Sequence, residues 1–162
     1  IPYPSNSAGT LLPGIREYTI TPGEKTTTIS GKGKAGLKQE ENYYFFYLPV
    51  CYKGITGKSY AYYNTSRSKN LYLPASVDEN YSYDIQLPEN LTLCTPIQEK
   101  KIDNPIGSFK ITLTSEGSSL HIELALQIKK QLITPAEYPA FRSLITEWTD
   151  RTRKPILFKT VQ

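Results

Sequence analysis

The sequence predicts a mainly β fold: an immunoglobulin-like antiparallel β-sandwich with one C-terminal amphipathic helix at about 135–149 and a closing strand at 155–161. Three observations predict it. Residues 108–114 and 120–128 alternate apolar and polar side chains around a Gly-containing turn, the pattern of a half-buried antiparallel hairpin. Turn residues recur along the chain without the strand–helix alternation of a parallel sheet. One stretch, Leu132 to Trp148, has convincing helical spacing.

In chain order, residues 1–14 carry three prolines and two glycines and read as a linker or the exit from an upstream domain. Residues 15–162 read as one β-sandwich domain. Ile15–Thr21 is a short strand stopped by Pro22-Gly23. Lys25–Ser30 has β-propensity but few apolar residues, which suits an edge strand. Gly31–Gly36 is a flexible loop. Asn42–Val50 is the most aromatic strand and is expected to be central, with Pro49 near its end. Lys53–Lys69 reads as a long loop, and Asn70–Leu73 as a brief strand before Pro74.

From Tyr81 the pattern sharpens. Tyr81, Tyr83, Ile85 and Leu87 alternate with Ser82, Asp84 and Gln86. Leu91–Cys94 continues after the Pro88-Glu89-Asn90 turn, and Asp103-Asn-Pro105 turns again. Phe109, Ile111 and Leu113 then share one face with Leu120, Ile122, Leu124, Leu126 and Ile128 across the hairpin.

At the helix, Thr134 followed by Glu137 has the form of a capping box, and Pro135 suits the first helical position. Pro139 shifts the start toward Tyr138. Tyr138, Phe141, Leu144, Ile145 and Trp148 line one face, which must cover a sheet. The polar run Asp150–Lys154 is expected to end the helix. Ile156 and Phe158 then point one way along the closing strand.

Composition narrows the function classes. A chain of 162 residues buries roughly 70% of its unfolded surface, so its core needs neither a metal nor a disulfide. Nineteen basic and fifteen acidic residues leave +4, scattered singly, unlike the dense basic patch of a nucleic-acid binder. No apolar run approaches the ~20 residues of a membrane span. Cys51 and Cys94 allow one disulfide at most; we expect two free, half-buried thiols. The sequence has no Met and no signal peptide, so we expect it to begin inside something longer, a processed product or trimmed segment.

Four constellations could carry chemistry or binding. Gly31-Lys-Gly-Lys-Ala-Gly36 has dinucleotide-loop spacing, but that loop must join a buried strand to a helix, and strands flank it here. His121 stands alone; any Ser–His or Cys–His catalysis must use it, yet it lies on the polar face of a strand with no acid motif beside it. One His and two dispersed Cys give no zinc spacing. Asp78-Glu79 and Glu40-Glu41 read as loop charges, since neighbours in a strand face opposite ways. A hydrolase would need two carboxylates facing one cleft. Finally, Tyr44, Tyr47, Tyr60, Tyr62 and Tyr63 could form an aromatic platform for sugar rings. The competing reading packs alternate aromatics into the core, where burial dominates the energetics, and it leads.

The run Val77-Asp-Glu-Asn-Tyr-Ser-Tyr-Asp-Ile-Gln-Leu-Pro-Glu89, with Ile102-Asp-Asn-Pro-Ile-Gly107, Tyr138-Pro-Ala-Phe-Arg142 and Ile156-Leu-Phe-Lys159, resembles one family. It is similar to the C-terminal β-sandwich, a domain of unknown function, of Gram-negative bacterial transglutaminase-like proteins, mainly over residues 70–162. The resemblance implies an upstream papain-like transglutaminase core, with Leu11-Leu-Pro-Gly14 at its exit, and export to the periplasm or cell surface. That core holds the family's catalytic residues, and no position here matches their motifs. The expectation is therefore a non-catalytic accessory or interaction domain with no cofactor, no metal and no catalytic residue of its own. Its expected partner is the upstream domain, with another protein or a glycan as further candidates. The alternative is a carbohydrate-binding module using the Tyr-rich face.

Overall fold

The computed structural model describes residues 17–34, 36–50, 55 and 66–161. The expected linker 1–14, Cys51 and Tyr60, Tyr62 and Tyr63 lie outside them. Among the described residues the elements are β1 (Glu17–Pro22), β2 (Thr27–Lys32), β3 (Lys38–Glu40), β4 (Tyr43–Phe46), β5 (Leu71–Tyr72), β6 (Val77–Gln86), β7 (Leu91–Leu93), β8 (Gln98–Asn104), β9 (Gly107–Glu116), β10 (Ser119–Ile128), β11 (Leu132–Ile133), helix α1 (Tyr138–Arg153) and β12 (Ile156–Thr160). A long sheet runs β6-β10-β9-β8 and a shorter one β3-β4-β12-β7; β1-β2 and β11-β5 are two-stranded ribbons. Every pairing is antiparallel. Among the described residues the fold is mainly β with one helix, as expected of a β-sandwich.

The hairpin β9–β10 organises the core. Its register sets Phe109 opposite Leu126, Ile111 opposite Leu124 and Leu113 opposite Ile122, so the apolar side chains all reach the same face. Gly117 at φ 56° leads the two-residue turn, a conformation glycine adopts without a Cβ penalty. The inner face is covered by two different elements. Phe109, Ile111, Leu124, Leu126 and Ile128 pack under Tyr138, Phe141, Leu144, Ile145 and Trp148 of α1. Leu113, Leu120 and Ile122 pack instead against Ile156 and Phe158 of β12 and Leu91 of β7. Helix and short sheet together form the second layer. Tyr81 and Tyr83 bridge the two regions, their rings stacked at 6.2 Å and Tyr81 also 5.9 Å from Trp148.

Helix α1 differs from its expected bounds at both ends. It begins at Tyr138, with Pro139 in its first turn. The Glu137 carboxylate reaches back to the Thr134 N–H at 3.1 Å, half of a capping box. The Thr134 hydroxyl does not complete the box; it donates to the same carboxylate at 3.0 Å. Contacts from Lys130, then Thr134, hold Glu137 down at a pKa of about 2. At the other end the helix runs past 149 to Arg153. The Thr149 and Thr152 hydroxyls donate to the carbonyls four residues back, and Lys154 pairs with Asp150 at 2.9 Å. Pro155 stops it: Lys154 is extended, at φ −79° and ψ 134°, as a residue before proline should be.

Strand β8 was not legible in the sequence, because Glu99, Lys100, Lys101 and Asp103 mask its alternation. It is an edge strand, where lysines guard against further pairing, and its Ile102 packs against the helix-side cluster. The expected turn at Asp103-Asn104 is therefore the strand's end. Asn104 Oδ1 accepts from Ile106 and Gly107 N–H groups at 2.9 and 3.3 Å, and its amide donates to Ala140 of α1 at 3.1 Å. Gly107 is required sterically: an added Cβ would lie 1.8 Å from the Gln127 carbonyl oxygen.

Two expectations follow. Trp148 is fully buried and its Nε1 finds no acceptor among the described residues. Trp148→Phe should cost less than about 1.5 kcal/mol, and Trp148→Ala about 3–5 kcal/mol, in urea unfolding. Gly107→Ala should cost about 1–3 kcal/mol in the same measurement; an unchanged midpoint would contradict the close approach of β9 to β10.

Candidate functional site

The outer face of the long sheet is polar, and it carries the sole histidine, which any Ser–His or Cys–His catalysis would have to use. His121 on β10 lies opposite Asp84 on β6 and Thr114 on β9. Its Nδ1 is 2.7 Å from Asp84 Oδ1, and its Nε2 is 3.7 Å from Glu123 Oε1. The expectation that no acid stands beside it is thus corrected. The acids come from register, Asp84 across the strand pair and Glu123 two residues on, and no local motif announces them. The hydrogen bond to Asp84 raises the His121 pKa above its ordinary 6.5. Glu123 is also paired with Lys110 at 2.9 Å, which lowers its pKa. A shallow depression beside this group is lined by Asp84, Gln86, Thr114, Glu116, Ser119 and His121.

The thiol does not join them. Cys94 follows β7 as a free, half-buried cysteine whose sulfur lies 4.0 Å from the Thr92 carbonyl. Asp78 and Glu79 lie within β6 instead of a loop and do face opposite ways. Asp78 accepts from Asn80 at 2.8 Å, while Glu79 accepts from the Ile55 N–H at 2.5 Å and the Tyr81 hydroxyl at 3.0 Å. The segment Gly31–Gly36 leads from one strand toward another, which is not a phosphate-binding context. No group of three or more metal-ligating side chains gathers among the described residues, and no described helix is long and apolar enough to cross a membrane.

The aromatic strand divides its side chains. Tyr44 is half-buried and packs against the sheet-side core. Tyr43 and Tyr47 are each 48% exposed, and Lys38 Nζ sits 5.7 Å from the Tyr47 ring centre. Tyr83 turns inward and donates to the Pro49 carbonyl at 2.8 Å; burial pushes its pKa up.

A second concavity of about 460 Å³ runs along α1. Tyr138, Arg142, Thr146 and Glu147 line it from the helix, Ile102 from β8, and Arg67 from the segment before β5. Arg67 Cζ lies 5.9 Å from the Tyr138 ring centre. Glu147 is engaged by Lys100 at 2.5 Å. Sequence reasoning missed this groove, because Arg67 and Arg142 meet only through the fold.

Because the folded pKa of His121 is raised, its pair with Asp84 stabilises the fold fully below pH 6.5, and that contribution fades as pH rises through the folded value. As the sole histidine, its imidazole signals are assigned without ambiguity. Asp84→Asn should return the pKa toward the ordinary value in an NMR titration; an unmoved titration would sink the pairing.

No curated protein matches the chain. A solved structure from Parabacteroides distasonis, described as a "putative protease", is 30% identical, with a TM-score of 0.64 over 75% of this chain. The chain spans only 24% of that protein's length. The family whose sequence pattern matches, over residues 42–158, is a domain of unknown function with a solved structure, DUF3858. That stretch takes in β4 through most of β12, hence the long sheet, the short sheet apart from β3, and the helix, and the chain belongs to the DUF3858 family.

Proposed function

We propose that this chain is a non-catalytic accessory and interaction domain of an exported protein with a transglutaminase-like, papain-like core. The observation that carries the reading is the separation of His121 from the described thiol: His121 lies on β10 of the long sheet, bonded to Asp84 and flanked by Glu123, whereas Cys94 follows β7 of the short sheet with its sulfur 4.0 Å from the Thr92 carbonyl. A Cys–His pair needs the two side chains within hydrogen-bond reach. The Asp84 contact ties β6 to β10. The similarity to about a quarter of a longer protein described as a "putative protease" supports the same reading.

The geometry supports binding over turnover. The groove beside α1 is open, mixed apolar and cationic, and framed by α1, β8 and the segment before β5. Of the two described members of the expected aromatic platform, Tyr44 packs inward and Tyr47 is the one open to a sugar ring.

The purified chain, incubated with fluorogenic peptides and with a glutamine donor plus a labelled amine, should give no turnover above the buffer blank. Turnover that disappears in His121→Ala or Cys94→Ala would overturn the accessory reading.

A further inference from the structure

We infer that the groove along α1 binds an acidic peptide segment, with Arg67 and Arg142 holding a carboxylate and Ile102, Pro135 and Pro139 taking an adjacent apolar side chain. This rests on the interaction-domain reading above and names its partner's chemistry.

Charge is the first argument. The groove contains one carboxylate, Glu147, and Lys100 already neutralises it at 2.5 Å. Neither Arg67 nor Arg142 has a carboxylate within ion-pair distance among the described residues, so two guanidinium groups stand unmatched in one concavity. Lys130 and Lys154, close in sequence to the ends of α1, are paired with Glu137 and Asp150. Arg151 of α1 also lacks an ion pair among the described residues; the groove is distinguished by bringing two such guanidinium groups to one concavity.

The state of Arg67 is the second. Its Nε is buried and has no hydrogen-bond acceptor among the described residues. A buried donor left unsatisfied carries its full desolvation cost. Its guanidinium is held 5.9 Å from the Tyr138 ring centre, a cation–π arrangement that fixes the fork's orientation. A fork so placed suits bidentate capture of a carboxylate.

The walls choose among anions. Tyr138 is only 3% exposed, so its ring offers no open face to a sugar or a nucleobase, which would need one to stack. A bare inorganic anion would leave Ile102, Pro135 and Pro139 uncovered. A peptide carrying an acidic residue beside an apolar one satisfies both halves of the groove.

The test is titration of the ¹⁵N-labelled chain with an acetylated, amidated hexapeptide of alternating leucine and glutamate. Its leucine–lysine counterpart and sodium sulfate serve as comparisons. Expected are saturable shifts of the amides at 66, 67, 102 and 142–147 with the glutamate peptide, weakening as salt rises. Arg142→Ala should lose about tenfold in affinity, the loss of one charge-assisted contact. Arg142 is exposed and without an ion pair, so this variant should keep its fold; Arg67→Ala should lose at least as much. Equal binding of the lysine peptide, sulfate binding as tightly, shifts scattered away from the groove, no saturable shifts, or an unaffected Arg142→Ala would each overturn the proposal. Any of these leaves the turnover assay intact, so the two readings fail separately.

Discussion

The inner face of the β9–β10 hairpin is apolar from Phe109 to Leu113 and from Leu120 to Ile128, and the rest of the molecule is arranged to cover it. Each strand has ten residues, or roughly 33 Å of extended chain. Helix α1 lies over the part built from Phe109, Ile111, Leu124, Leu126 and Ile128. It leaves Leu113, Leu120 and Ile122 to a second cover. The chain supplies that cover at once: Pro155 ends the helix and β12 begins at Ile156, entering the short sheet between β4 and β7. One proline therefore sets where helical cover stops and sheet cover starts. The stacked Tyr81 and Tyr83 rings close the seam from β6.

The polar contacts sort by how much they can hold. Lys110–Glu123 and Lys101–Asp103 are open to solvent, where ion pairs contribute little. Asn104 is different. Its side chain satisfies two turn N–H groups and donates to a helix carbonyl, so it joins β8, the β8–β9 turn and α1 through backbone groups that do not move independently. Lys100–Glu147 and the packing of Ile102 act across the same contact. The groove beside α1 is consequently framed by elements tied to one another.

Much of the architecture was legible because it rests on periodicity. The hairpin register, the inward face of β6, helix α1 and the closing strand all follow from alternation or 3.6-residue spacing in large apolar side chains. The misses share a cause. β8 carries alternating charges in place of apolar residues and forms only because β9 and α1 receive it. The helix overran its expected end because the polar run Asp150–Arg153 is compatible with a helix when hydroxyls and Lys154 satisfy it locally. Asn42–Val50 shortened to Tyr43–Phe46; beyond it, Leu48 is buried in coil. The surroundings of His121 and the Arg67–Arg142 groove were illegible in principle, since no local pattern encodes which distant residues a register or a helix face will bring together.

The same fact bears on what the groove can be. Arg67 precedes β5, Ile102 sits on β8 and Arg142 on α1. β5 is held by pairing with β11 just ahead of the helix, where Leu73 N–H donates to the Gln131 carbonyl at 2.8 Å. The two arginines are therefore positioned through separate anchors: one through the β5–β11 ribbon, the other through the apolar face of α1 pressed on the hairpin. A surface of scattered lysines needs no such arrangement to stay soluble. Placing an unmatched guanidinium over a buried tyrosine ring has a desolvation cost, and the fold meets it at a concavity that also presents Ile102, Pro135 and Pro139. That combination is what recognition of a carboxylate on a peptide demands, and it lies on the helix, away from the His121 ion pair on the opposite face of the long sheet.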